Sequence, residues 1–196
     1  MTELLPLLTY AFLMSSTPGP NNLMLTASGA NFGYRRSLPH ILGIGAGHGL
    51  QICLTCLGLG ALFASWPQLH GVLRLAGALA MVYLAWKLTA GGIAGRVSAP
   101  ARPLSFAQAA AFQAVNPKSW VKALTVASVF MPAGWSAAGG ALLVALVNMA
   151  ITLPCVSMWA LFGVALRRWL TDPLRRRVFN GIMAASLLVL ALLMLR

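Results

Sequence analysis

Six apolar runs dominate this chain, and two of them are broken in mid-course by proline. The runs lie at about 4–27, 39–64, 71–88, 106–131, 137–166 and 178–195. A helix that crosses the hydrocarbon of a bilayer needs roughly 20 apolar residues. No connection between the runs is large enough to hold a separate folded unit. The expectation is therefore an all-α integral membrane protein of six transmembrane helices, forming one transmembrane domain over 1–196. Helices 1 and 4 of that set carry the interruptions: Thr17-Pro18-Gly19-Pro20-Asn21-Asn22 in the first run and Asn116-Pro117-Lys118 in the fourth.

Composition agrees with a lipid environment. Hydrophobic residues make up 59% of the chain and charged residues only 8%, against about 25% charged in an ordinary soluble domain. The formal net charge of +12 could point to nucleic acid, but the basic residues sit in short gaps between apolar runs, which excludes that reading. Arg35 and Arg36 follow run one. Lys87, Arg96 and Arg102 follow run three, and Arg167, Arg168, Arg175, Arg176 and Arg177 follow run five. The other two gaps hold no Lys or Arg. Arg74 lies just inside run three, where it can snorkel outward, and Arg196 ends the chain. The positive-inside rule places the basic gaps in the cytoplasm and both termini on the non-cytoplasmic side. Tyr83 and Trp86 beside Lys87 read as one interfacial belt, and Trp66 and Trp135 as the opposite one. The N-terminus lacks a basic leader and carries Glu3, so it reads as a retained first helix and not a cleaved signal.

A proline inside a helix removes an N–H donor and frees an upstream carbonyl. Hydrocarbon supplies no water to compensate, so broken backbone at membrane depth must be buried in protein or line a polar cavity. The half-helix after each break also offers free N–H groups and the positive end of its dipole. Pro20 and Pro117 stand half a chain apart, each in the first helix of a three-helix unit. That placement predicts two inverted repeats, about 1–98 and 99–196, with a carboxylate-binding pocket near the midplane. Packing kinks are the simpler alternative, and Pro154 in run five reads as one.

Lys118 and Lys122 are one turn apart and share a helix face. Lys118 falls deep in its run, where a lysine is costly and marks function; it is expected buried, Lys122 less so. His48, in Gly-Ile-Gly-Ala-Gly-His-Gly, is a candidate proton relay or a packed histidine. Glycines 43, 45, 47 and 49 predict close helix approach. Asn148 is a candidate cavity residue or an interhelical hydrogen-bonding group. Cys53 and Cys56 form a CxxC pair that leaves open a thiol–disulfide electron carrier as the alternative function, although they lie in an apolar span without an activating cation. No HExxH, GxSxG or Walker pattern appears, and Glu3 and Asp172 are the only acids. The sequence thus predicts no catalytic residue, no metal site and no cofactor.

TPGPNNLMLTASGANFGYRRSLPHILGIGAG resembles the opening signature of the lysine exporter (LysE/RhtB) superfamily, and AAFQAVNPKSWVKAL resembles its fourth-helix motif. The resemblance extends over essentially the whole chain. It implies a multi-pass exporter of amino acids or close derivatives in the bacterial inner membrane, driven by the proton motive force, with protons as a partner. Matched position by position, the substrate path falls on Pro18, Gly19, Pro20, Asn21, Asn116, Pro117 and Lys118; Asn22 and Asn148 are added as neighbouring polar candidates. Some members place an acid after Pro-Gly-Pro, where this chain has Asn21 and Asn22. That departure disfavours cationic substrates. The similarity of TPGPNN to exporters of cysteine and O-acetylserine points to a small neutral amino acid, of cysteine/O-acetylserine, threonine/homoserine or leucine type. Homo-oligomer formation is left open.

Overall fold

The structure is a computed structural model that describes residues 4–66, 68–93 and 102–195. Arg96, Arg196, Glu3 and the expected repeat boundary near residue 98 lie outside them. Every element within the described residues is helical. Helices α1 (Leu4–Ser16) and α2 (Pro20–Phe32) are the two halves of the first run. Helix α3 (Tyr34–Leu54) passes through a π-helical turn, Thr55–Leu59, into the short α4 (Gly60–Ser65). Helix α5 is Gln68–Ile93. The fourth run gives α6 (Phe106–Gln113) and α7 (Pro117–Val129), and the last two runs give α8 (Ala137–Arg167) and α9 (Pro173–Leu195).

Four stretches are long and apolar enough to cross a bilayer as continuous helices: Tyr34–Leu59, Gly71–Thr89, Ala137–Arg167 and Pro173–Leu193. The other two expected spans are each two short helices, which is what the proline motifs dictate. The second run is also less regular than expected. Gly58 takes φ 125° inside the π turn, a conformation that only glycine adopts without strain. Pro154, by contrast, sits inside an uninterrupted α8. One proline costs one hydrogen bond, which a long, packed helix tolerates. Pro18-Gly19-Pro20 removes two donors around a residue with no side chain, and there the chain leaves the helix, with Gly19 fully extended at φ −177°.

Helices α3 and α8 pack together at the centre, α1 and α2 lie against α8, α6 and α7 lie against α3, and α5 pairs with α9. Small residues let the backbones meet. Gly29 of α2 faces the backbone of Ala160, and Gly163 of α8 faces that of Thr26. Gly43 and Gly47 of α3 face Phe106 and Ala110 of α6, while Gly45 and Gly49 face Met149 and Leu153 of α8. The expected role of the glycine run is thus observed, divided between two neighbours.

Buried apolar clusters fill the gaps: Leu7, Ile52, Ala123 and Val144 on one side of the breaks, and Leu25, Ile41, Ala109 and Val156 on the other. Outward faces are equally apolar, with Leu142, Leu146, Phe162, Ile182 and Leu192 all exposed. A continuous apolar exterior of this kind belongs in lipid. The loops at Gly33 and Arg167 come together at one end, where a side chain on Gly33 would touch the Arg167 guanidinium. Tyr83 and Trp86 are exposed and lie 6.0 Å apart, ring centre to ring centre.

Candidate functional site

Each break frees backbone groups, and the structure accounts for them across the two halves of the chain. Helix α1 ends with Thr17 N–H donating to Leu13 O, and α2 begins with Leu23 N–H donating to Gly19 O. Between them several carbonyls have no helical partner. Asn22 donates from Nδ2 to Ser15 O (2.9 Å) and Thr17 O (2.8 Å). Lys118, from the second half, donates from Nζ to Thr17 O (2.6 Å), Thr17 Oγ1 (2.7 Å) and Pro18 O (3.2 Å). The lack of a Cβ at Gly19 makes room for it: one there would stand 2.9 Å from Lys118 Cδ.

The second break is built differently. The chain tightens through 3₁₀-type bonds at Ala114, Val115 and Asn116. Asn116 then caps α7 by accepting from Lys118 N–H at 3.1 Å, as an N-cap residue does. Helix α2 has proline at its first position and no side-chain cap, so its N-terminal dipole end is the open one.

A reciprocal amide pair ties the breaks together. Asn21 Nδ2 donates to Gln113 Oε1 at 2.9 Å, and Gln113 Nε2 donates back to Asn21 Oδ1 at 3.3 Å. Gln113 also accepts from Ser119 Oγ at 2.8 Å and donates to Ala109 O at 2.8 Å. At 1% exposure, it joins α2, α6 and α7.

Beside this junction lies a pocket of about 40 Å³, lined among others by Asn21, Asn22, His48, Asn116, Lys118 and Lys122. Lys122 is 4% exposed. Its Nζ donates to Ser15 Oγ (2.8 Å) and Thr152 Oγ1 (3.0 Å), and those two hydroxyls also bond each other (3.1 Å). Among the described residues no acidic side chain lines the pocket. Among the described residues the only acid is Asp172, which caps α9 through Leu174 N–H and Arg175 N–H. The pocket therefore gathers two lysine side chains with no acidic partner among the described residues. Asn22 spends its amide on α1 and keeps its Oδ1 unbonded, one acceptor among donors.

Most residues expected from sequence converge here. Gly19, Pro20, Asn21, Asn22, Asn116, Lys118 and His48 all line the pocket. Pro18 and Pro117 face away, into an open groove beside α5 and α9 that also contains Arg74. Asn148 corrects the expectation of a lining residue: it is buried one turn from Thr152, its Nδ2 bonded to Val144 O at 2.8 Å. The burial order of the lysines is reversed, Lys118 being half-buried and Lys122 buried. Neither the His48 ring nor the side-chain amide of its neighbour Gln51 makes a geometrically good hydrogen bond.

Gln113, Ser15 and Thr152 were not singled out in the sequence. Gln113 was findable, as a polar residue one turn before a break that frees backbone groups. Ser15 and Thr152 carry no such signal. Cys53 and Cys56 are free thiols packed on the cluster around Ile52, outside the pocket lining. That placement gives no support to the thiol–disulfide reading.

A family model described as LysE type translocator matches residues 12–196. This chain belongs to the LysE-type translocator family. A cysteine/O-acetylserine efflux protein of Escherichia coli strain K12 is 34% identical over 124 residues, covering 63% of each chain. The protein of the same name from Shigella sonnei matches equally, and that of Escherichia coli O1:K1 is 33% identical over the same length. The matched stretch spans 63% of the length of these relatives. No solved structure matches. Family membership, apolar exterior and four long apolar helices together make this LysE-type translocator a multi-pass membrane protein.

Proposed function

We propose that the protein exports small neutral amino acids or their derivatives across the bacterial inner membrane, driven by the proton motive force. The observation that carries this reading is the pocket between the breaks, which is rich in cationic donors and lacks an acid. A zwitterion's carboxylate would take the ammonium of Lys122 and the open N-terminus of α2. Its own ammonium would turn to Asn22 Oδ1. Cationic amino acids would meet two lysines and no carboxylate. The names of the relatives narrow the candidates to cysteine and O-acetylserine, with threonine, homoserine and leucine as the next group.

Alternating access would come from two inverted three-helix repeats. The packing supports this. Exchanging α1/α2 with α6/α7, α3 with α8 and α5 with α9 exchanges the observed neighbours: α1/α2 on α8 becomes α6/α7 on α3, while α3–α8 and α5–α9 map onto themselves. In this reading each broken pair crosses the membrane as one span, for six in all, with both termini outside.

Inside-out membrane vesicles test the proposal. With a proton gradient imposed, uptake of labelled cysteine or O-acetylserine is expected, abolished by a protonophore, with no uptake of lysine. Absence of uptake for cysteine, O-acetylserine, threonine, homoserine and leucine alike would refute it.

A further inference from the structure

A second group of unspent donors lies away from the breaks. Lys87 of α5 does not simply reach outward as the interfacial pattern predicted. It is half-buried and lines a cavity of about 80 Å³ between α2, α3, α5 and residues 102–104. Arg102 lines the same cavity from the loop, and His40 from α3. His40 is 1% exposed, and neither ring nitrogen has a hydrogen-bond partner. Buried polar atoms of that kind are rare and call for an explanation. Among the described residues no acid lines the cavity, and the remaining walls, Met24 and Leu84 among them, are mainly apolar.

The position is as informative as the chemistry. Phe32 lines the cavity next to Gly33, which places it at the end where the arginines gather. The same two helices continue to the central pocket. On α2, Met24 lines this cavity and Asn21 the central one. On α3, His40 lines this cavity, with Ile44 and His48 lining the central one at successive turns. The two histidines stand about 12 Å apart along the helix at ~1.5 Å per residue. Met24 on this cavity and Ile44 on the central one are both buried.

We propose that this cavity is an entry subsite that receives the carboxylate of the amino acid before it moves along α2 and α3 to the central pocket. The proposal rests on the exporter reading. Lys87 and Arg102 supply charge, the His40 ring supplies a buried donor, and the apolar walls accept an uncharged side chain. Placement on the same two helices as the central pocket favours the transported molecule over a lipid headgroup, which shares the anionic chemistry.

Lys87→Gln and Arg102→Gln test this at the rim, where neither residue supports the core. Transport of O-acetylserine and cysteine by the full-length protein is measured in inside-out and right-side-out vesicles. From the basic face, each variant is expected to raise KM about tenfold, as the loss of one charge-assisted contact would. Vmax should stay within about twofold, and KM from the other face should not change. An unchanged KM at the basic face in a transporting protein overturns the subsite alone. Absence of transport by the unmodified protein overturns both readings. The unmodified protein is also reconstituted in phosphatidylcholine with and without phosphatidylglycerol. If removing the anionic lipid raises KM as the variants do, the occupant is a headgroup and the proposal is overturned.

Discussion

The crossing of α2 with α8 is where a single methyl group should do most damage. Gly163 faces Thr26 so closely that an added Cβ would lie 2.1 Å from Thr26 O and 2.9 Å from Ala30 N. Ordinary contact begins at 3.4 Å, so Gly163→Ala requires α2 to retreat by about 1.3 Å. Both obstacles are backbone atoms, and no rotamer change relieves them. Gly29→Ala meets Ala160 O at 2.0 Å in the same way. Overpacking of this kind costs roughly 1–3 kcal/mol. For a chain of this size each kcal/mol lowers Tm by about 2–4 °C, which gives a fall of about 2–12 °C for either variant. The two obstacles belong to one interface, so a single retreat of α2 serves both. The double variant should lose clearly less than the sum of the singles. The same retreat would draw Asn21 and Asn22 away from Thr152, so vesicle uptake should fall as well. Thermal unfolding of the purified protein in detergent gives the answer. Singles within 1 °C of the parent, or strictly additive losses, would refute a close α2–α8 crossing.

Lys122→Met removes the buried ammonium but leaves Ser15 and Thr152 bonded to each other, so uptake should be lost while the protein still purifies as a folded species; retained uptake would remove Lys122 from the substrate path. Asn21→Ala and Gln113→Ala share one reciprocal amide pair, and a thermodynamic cycle on Tm should give a coupling of about 0.5–3 kcal/mol. Additivity there would mean that the breaks are not tied. Asn116→Ala should cost about 1 kcal/mol through loss of the α7 cap, read as a small drop in Tm; Asn116→Asp should recover most of it. Cys53→Ser with Cys56→Ser should leave uptake within error of the parent, and loss of uptake would revive the thiol reading.

The sequence announced the breaks because proline and glycine act locally: their effect on a helix does not depend on what packs nearby. The long helices were legible for a similar reason, since twenty apolar residues have few options in lipid. The way the breaks are stabilised was less visible. Asn116 was read as a substrate ligand, yet its Oδ1 is taken by the backbone of its own helix. Lys118 was read as deeply buried, yet its ammonium spans to Thr17 and Pro18 and stays half-exposed. Both outcomes depend on which residue of the distant half arrives alongside, and spacing along one strand of text does not carry that. Lys122 shows the same limit in reverse: being one turn further in, it meets Ser15 and Thr152 and becomes the buried cation. The π turn at Gly58 had no warning beyond a glycine among apolar neighbours.

The carbonyls at Thr17 and Pro18 are held by a lysine 101 and 100 residues further along the chain. During synthesis the ribosome delivers the first of these groups long before the second. Until Lys118 emerges, Thr17 O has Asn22 as a partner within the opening helix pair, but Pro18 O lacks the donor that holds it in the finished protein. Truncation after α5 removes that donor for good, so the shortened product is expected to be degraded faster than the whole chain, as a pulse-chase on cells making each form would read.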